Sequence, residues 1–542
     1  MPCGIQKEMK KPLLIFLSVL LLGTSTTPVV AFDQRSVWDI NKLSEITDPN
    51  LMRVVFGYYP VQSVNDDFSF TVDIEDSTPY QVFQVLLAPC TPTDAKDINF
   101  QACIEDVSVR RIGSTSWSAA SVSPVALGEP TKTLKGKAGN LVVGKPVAVD
   151  KERYRPAGDR ASLWEMPTAR HSKGNTYLVR AVLSGTASSS GASADYVPQR
   201  RFSMELLPIS VTKSGNVINQ DEFKIEEFPK DYEYKIRLRL GVFAKSISGW
   251  FFGRIQDQTV DLNNSKGYLE LIGTPARVPM GVTDVIKKSQ IPQRLLEICA
   301  KLSTDVNCDG NTANNYGRAT LYAPDDGANP EILSEYESVP GGVKTAASLS
   351  LWNIKSYGAT APSSGLSKEA CSAQITGEKA NGFQGIVSSN ASMYQRTPPT
   401  WDEANKAFTF KVASPHLDEF GAENKGFYTL YLPIGQANCR WGNDASLPQA
   451  QVQIVNQSGT ASVTTAIATQ ENGMLRFNIS GFTYSAPIIR IRMGQGEFKS
   501  GQRTPIKTVS GPKRVVLICV KGKSTKQIVA VKPKCPAGYK KK

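Results

Sequence analysis

Tyr232-Glu233-Tyr234-Lys235-Ile236-Arg237-Leu238-Arg239-Leu240 places apolar side chains at the even positions and polar ones at the odd positions. A period of two fits a strand with one face on a core and the other toward water; a helix would repeat its faces every 3.6 residues. Working outward, 68–74 alternates in the same way. β-Branched and aromatic runs recur at 80–87, 176–183, 407–412, 426–432, 451–455, 462–468, 474–479 and 488–492, with turn-forming residues between them. Short strands at such intervals predict a mainly β protein built from two or more antiparallel β-sandwich-like domains. One stretch breaks the pattern: over 282–302, Val285, Ile286, Ile291, Leu295, Leu296 and Ile298 fit a helix interrupted near Pro292. It reads as a short helical connector between the β-rich halves. The Ser/Gly/Ala-rich 184–194 reads as an exposed loop.

The start of the chain carries an address. Met9-Lys10-Lys11 precedes the apolar run Leu13 to Leu22, and Val29-Val30-Ala31 supplies small residues at a cleavage site. That order defines a secretory signal peptide, with cleavage expected after Ala31. No later stretch reaches the roughly 20 apolar residues that a spanning helix needs, so the mature chain is expected without a transmembrane segment. The expected organisation is 1–31 signal peptide, 32–280 an N-terminal β-rich region of one or two domains, 281–344 helical and loop connector, 345–493 a C-terminal sandwich-like domain, 494–512 linker and 513–542 a basic hairpin tail.

Cleavage leaves eight cysteines: Cys90, Cys103, Cys299, Cys308, Cys371, Cys439, Cys519 and Cys535. An even number in an exported chain argues for disulfides. Three pairs close short intervals, 90 with 103, 299 with 308 and 519 with 535, which leaves 371 with 439. The absence of any C-x-x-C and the presence of only two histidines argue against a zinc site.

The last acidic residue is Glu497, and thirteen cations follow it, leaving 49 Lys+Arg against 49 Asp+Glu in the rest. The net charge of +13 therefore lies in the tail. There, 514–520 and 527–531 are β-branched runs around a Lys/Gly/Ser/Thr turn, which reads as a hairpin closed by Cys519 and Cys535. Lys513, Arg514, Lys521, Lys523, Lys526, Lys532, Lys534, Lys540, Lys541 and Lys542 form the expected polyanion-binding set. Outside a cell this points to envelope polyanions, namely phosphate-rich wall polymers, acidic sugars or anionic headgroups. Nucleic acid fits less well, because the tail has one aromatic residue, Tyr539, and no interleaved stacking platform.

The tail sequence Ile518-Cys519-Val520-Lys521-Gly522-Lys523, ending in Lys532-Pro533-Lys534-Cys535-Pro536-Ala537-Gly538-Tyr539-Lys540-Lys541-Lys542, resembles the shared C-terminus of a group of large secreted actinobacterial surface proteins. Ile247 to Arg254 and Tyr431 to Gly442 resemble segments of the same group. The resemblance implies a secreted envelope protein and transfers no catalytic residue.

Asp305, Asn307, Asp309 and Asn311, with Gly310 at the sixth position, start like a calcium loop, but Tyr316 stands where the bidentate Glu belongs. Calcium is the one cofactor with any motif; an Asx/Gly turn explains the same residues. Trp250 and Trp441 are candidate ligand-stacking rings, weighed against core packing, since alternation gives Trp250 and Phe252 one face and Phe251 the other. No esterase, zinc-protease, P-loop or dinucleotide motif is present, and Ser210-Val211-Thr212-Lys213 matches S-x-x-K alone. The expectation is a binding or adhesion protein whose body recognises an extracellular glycan or surface protein. The alternatives are a hydrolase with paired carboxylates and a structural envelope component.

Overall fold

The computed structural model describes residues 48, 50–56, 72–75, 80–92, 98–127, 140–143, 146–151, 155–188, 201–211, 217–218, 223–247, 249–263, 265–282, 286–294, 297, 320–323, 333, 339, 344–356, 383–395, 398–418, 422–442, 449–455, 461–484, 488–493, 515–521, 524–530, 534–535 and 538–541. The fold is mainly β, with large antiparallel and mixed sheets. The chain divides into two compact units, 1–402 with 406–495, and 496–542 with 403–405.

In the first unit the principal strands are β1 (Cys103–Arg111), β2 (Thr176–Ser188), β3 (Arg201–Val211), β4 (Tyr232–Arg239), β5 (Gly249–Gly253), β6 (Ile255–Asn263), β7 (Tyr268–Val282) and β8 (Lys344–Ser356). They continue with β9 (Phe383–Ser389), β10 (Thr400–Asp402), β11 (Ala407–Ala413), β12 (Lys425–Pro433), β13 (Gln449–Val455), β14 (Ala461–Glu471), β15 (Met474–Thr483) and β16 (Ile488–Met493). Helix α1 (Ile434–Trp441) follows β12 directly. As its alternation requires, β4 buries Tyr234, Ile236 and Leu238 and turns Glu233, Lys235, Arg237 and Arg239 outward. Antiparallel neighbours β1 and β7 flank it.

Residues 32–280 and 345–493, separate regions in the sequence reading, are joined by sheet hydrogen bonds. β8 pairs with β3, β5 and β7, and β9 runs parallel to β5 and antiparallel to β12. Along these strands the register aligns Phe251, Ile386 and Tyr431 in one transverse row and Phe252, Val387 and Leu430 in the next. Because successive side chains point to opposite faces, the first row enters one core with Phe202, Trp352 and Ile354. The second enters another core with Trp250, Tyr394, Phe408 and Phe477. The sheet β5–β9–β12 is thus buried on both faces and reads as continuously apolar. Phe251 packs edge-on to Phe202, and Phe252 stacks on Tyr394 at 3.5 Å.

Polar groups inside this junction are held by backbone. Arg254, fully buried after β5, donates from Nη1 to the carbonyls of Ser389 (2.9 Å) and Ala391, its guanidinium lying over the rings of Phe252 and Tyr394. Asn390 Oδ1 accepts the Phe427 N–H at 2.9 Å and the Tyr484 hydroxyl at 2.5 Å. Such bonds satisfy groups whose burial would otherwise cost free energy.

Two local expectations change. Ser184 to Ser188 extends β2 and pairs with Gln84 to Tyr80: partner hydrogen bonds hold small residues extended where local propensity favours a loop. Within 282–302, Ile286–Lys287 forms a short strand on Leu51 and Met52, followed by a 3₁₀ turn at Lys288–Gln290. Ile286 and Ile291 are buried there without a helix, while Gln293, Arg294 and Glu297, after Pro292, are helical as expected. In the second unit, β17 (Val515–Lys521) and β18 (Ser524–Ala530) form the antiparallel hairpin, and β19 (Lys540–Lys541) pairs with β17. Among the described residues no helix is long and apolar enough to cross a membrane.

Gly385 tests the two-faced sheet. A Cβ there would lie 2.5 Å from Trp250 Cζ3 and 2.7 Å from the Tyr431 carbonyl oxygen. Gly385→Ala is expected to lose about 1–3 kcal/mol, seen as a lower urea midpoint, whereas Gly435→Ala, with nothing within 4 Å, should leave the midpoint nearly unchanged. Equal midpoints would show that the indole does not seal this position.

Candidate binding surface

The outward face of β1, β4 and β7 gathers charged and aromatic side chains in one plane. Its origin is a bulge. The β1–β4 register shifts between Arg237 and Leu238, so that Asp106 stands opposite Arg237 and Ile104 opposite Leu238, with Glu105 as the inserted residue. Ile104 and Val107 stay buried, and the two adjacent acids between them both lie toward solvent. A bulge re-aims side chains at the expense of regular ladder pairing.

Those acids organise the cations of β4. Glu105 accepts Arg237 Nε at 3.0 Å and Arg239 Nη2 at 2.5 Å through its two oxygens. Asp106 meets Lys235 Nζ at 2.8 Å and accepts the Ser108 hydroxyl at 2.6 Å. Arg110 of β1 pairs with Glu233 at 2.6 Å, and Arg239 also donates to Gln101. The Trp117 ring lies 4.3 Å from the Arg110 guanidinium and 5.2 Å from Lys235 Nζ. The Tyr268 ring lies 4.0 Å from the Arg237 guanidinium, while its hydroxyl donates to Asp261 at 2.6 Å. That hydrogen bond raises the Tyr268 pKa above its ordinary value, keeping the phenol a donor.

Partly exposed ion pairs of this kind contribute about 0–1 kcal/mol each, so stability gives little reason for the array. The array is a surface of oriented polar groups. Planar guanidinium groups are fixed by carboxylates and rings, and donors and acceptors alternate across it. The Trp117 ring lies against Arg110 and Lys235 and the Tyr268 ring against Arg237, so the two rings flank neighbouring β4 cations. Arg110, Lys235, Arg237 and Arg239 face Glu105, Asp106, Glu233, Asp261 and Glu270, so the surface is close to neutral and suits an extended, hydroxyl-rich ligand better than a polyanion. Apolar–acid–acid–apolar at 104–107 was the legible sign of the bulge; nothing local placed Trp117 or Tyr268 beside it.

The residues singled out from the sequence lie elsewhere. Cys90 and Cys103 form a disulfide, Cα atoms 5.0 Å apart, and Cys439 and Cys535 are each disulfide-bonded. Cys299, Cys308 and Cys371 lie outside the described residues; Cys519 is in β17. Trp250 and Trp441 are 3% and 8% exposed, which corrects the stacking expectation. Both indoles pack in the second core, Trp250 edge-on to Phe408 and Trp441 among Trp401, Phe408 and Phe477, because the two-faced sheet leaves neither ring a solvent side. Of the tail cations, Lys534, Lys540 and Lys541 are exposed; Lys521 and Lys526 lie in strands, and Lys513, Arg514, Lys523, Lys532 and Lys542 lie outside the described residues. So do Asp305, Asn307, Asp309 and Asn311. Among the described residues no group of three or more His, Cys, Asp or Glu is placed to hold a metal.

Among the described residues, His171 and Ser172, just before β2, and Ser210 of β3 gather around Glu226. Ser210 Oγ donates to Glu226 at 2.6 Å and Ser172 Oγ does so at 3.3 Å. His171 Nδ1 accepts the Lys173 N–H at 3.3 Å while Nε2 faces the Thr176 carbonyl at 3.2 Å, a pattern that the neutral ring satisfies and the imidazolium does not. Burial, the main cause, lowers the His171 pKa below 6.5. The unfolded chain therefore takes up the proton first. Stability is full above about pH 6.5 and falls with further acidification, with a slope of up to about 1.4 kcal/mol per pH unit from this group. In urea melts from pH 7.5 to 5, His171→Gln should have a shallower acid slope than the parent; identical slopes would remove His171 from the account. The chain matches no known protein family, and no curated protein matches its sequence.

Proposed function

We propose that this is an exported binding protein whose β1–β4–β7 face recognises an extended extracellular glycan, and whose Lys-rich tail holds it on envelope polyanions. The observation that carries the reading is the bulge at Glu105 and Asp106, which fixes three β4 cations between Trp117 and Tyr268. A rigid plane of rings and paired donors and acceptors fits sugar rings and hydroxyls, and its balanced charge leaves polyanion attachment to the tail. The signal peptide places the molecule where such polymers occur. A surface protein presenting the same polar chemistry is the other ligand this face would accept.

A panel of immobilised neutral and acidic glycans tests the face. The full chain is expected to bind a subset, and Trp117→Ala with Tyr268→Ala to weaken that binding at least tenfold while leaving the urea midpoint almost unchanged, since both rings are only half-buried. Undiminished binding by the double variant would overturn the assignment.

The tail is tested separately on washed cells. Retention of the full chain should fall steeply as salt shortens the screening length from about 30 Å at 0.01 M to about 10 Å at 0.1 M. A chain ending at Gly511 should be lost at every salt concentration. Equal partitioning of the two would mean that the tail is no anchor.

A further inference from the structure

On the far side of the second core, β10, β11, β16, β13 and β14 hydrogen-bond in that order. Phe408, Phe410, Val452, Ile489 and Ile491 enter the core, so alternation puts Thr409, Gln451, Gln453, Arg490 and Arg492 on the outward face. There Arg490 Nη1 donates to Gln453 Oε1 at 2.9 Å and Arg492 Nε to Gln451 Oε1 at 2.8 Å. β14 ends the sheet on one side. Ala461 to Ile467 pair with Val455 to Gln449, and from Ala468 to Glu471 the strand changes partner and pairs with β15. Among the described residues, no strand pairs with the other edge of 461–467.

Other edges of the same unit are guarded. β6, at the edge beyond β7, carries Asp257 and Asp261 and is bulged between Gln256 and Thr259. Its Val260 carbonyl accepts Asn472 Nδ2 at 3.4 Å, and its Gln258 carbonyl accepts the Tyr431 hydroxyl. β10, at the opposite side of the sheet that β14 ends, is three residues long and finishes on Asp402. Charges, bulges and short strands are the devices that keep one sheet edge from pairing with another. By contrast, Ala461-Ser462-Val463-Thr464-Thr465-Ala466-Ile467 has no charged residue, no proline and no glycine, and its register with β13 is unbroken. A regular strand of this kind offers its outer row of N–H and C=O groups to another extended segment.

We propose that the segment it takes is its own counterpart on a second copy of the chain, paired antiparallel about a two-fold axis at Thr464 to give an isologous dimer. The sequence is self-complementary in this register. Val463 stands opposite Thr465 of the other copy, Ser462 opposite Ala466 and Ala461 opposite Ile467, with Thr464 opposite itself. Pairs of β-branched residues and of threonines stabilise an antiparallel ladder, whereas like charges directly opposite destabilise it. No charge meets its like here; the same operation on β6 about Thr259 would set Asp257 against Asp261. At about 3.4 Å per residue the paired stretch is roughly 24 Å long, a narrow contact whose association is reversible. The inference rests on the edge of β14 alone and stands whether or not the β1–β4–β7 face binds a glycan.

Sedimentation of the full chain over a wide range of concentration is expected to show a reversible monomer–dimer equilibrium. Amide hydrogen exchange of the peptide spanning 461–467 should slow as the dimer forms. Val463→Lys with Thr465→Lys, at positions opposite the outward-facing Gln453 and Gln451, should raise the dimer dissociation constant at least tenfold, because each lysine then meets a lysine. Val463→Glu with Thr465→Glu should do the same, and an equimolar mixture of the two variants should regain dimers containing one copy of each. Should a variant unfold in a urea melt, hydrogen exchange of the parent decides. A chain that is monomeric at every concentration would overturn the proposal and leave the edge to an extended segment of a different protein. So would a dimer whose exchange at 461–467 is unchanged, a folded double variant that dimerises as tightly as the parent, or a mixture that associates no better than its components.

Discussion

The first unit depends on one constraint: the sheet β5–β9–β12 has no solvent side. Phe251, Ile386 and Tyr431 belong to one core while Phe252, Val387 and Leu430, their immediate neighbours in sequence, belong to the other. A strand that serves two cores cannot slip by one residue without exchanging both sets of side chains. That fixes the register of β5 against β9, and through β8 and β12 it fixes the strands on either side. It also explains why a side chain at Gly385 is expected to destabilise the fold, since the Trp250 indole lies 2.5 Å from where its Cβ would sit.

A sheet covered on both faces must resolve its polar groups internally. Arg254 spans the boundary by donating to the Ser389 carbonyl at the end of β9 and to the Ala391 carbonyl beyond it, while its guanidinium lies against aromatic rings, and Asn390 ties the start of β12 to Tyr484. These contacts hold the strands in the geometry on which both outer surfaces rely. With the interior committed in this way, the charged and polar side chains are left to the outward faces. One is charge-balanced and aromatic around β4; the other is rich in arginine and amides around β16.

The two faces differ for a physical reason. Around β4 each cation meets a carboxylate because a bulge brings two adjacent acids to the same side, and the result is a plane of fixed dipoles with little net field. Around β16 the arginines Arg490 and Arg492 donate to the amide oxygens of Gln453 and Gln451.

Much of this was legible before any coordinates. Period-two alternation in 232–240 fixed which β4 residues face water, and the Trp250/Phe251/Phe252 pattern already required cover on both sides. The 90–103 bridge followed from cysteine spacing, and the position of the last acid at Glu497 separated a neutral body from a basic tail. These are local properties, set by pleat geometry and counting. Tertiary structure alone decided the rest: that the two β-rich regions share one sheet, that 184–188 is strand, that Trp441 is buried, and that Trp117 and Tyr268 flank the same cations. Strand partners, bulges and cross-strand rows join residues more than a hundred positions apart, and their energies depend on contacts that no local pattern encodes.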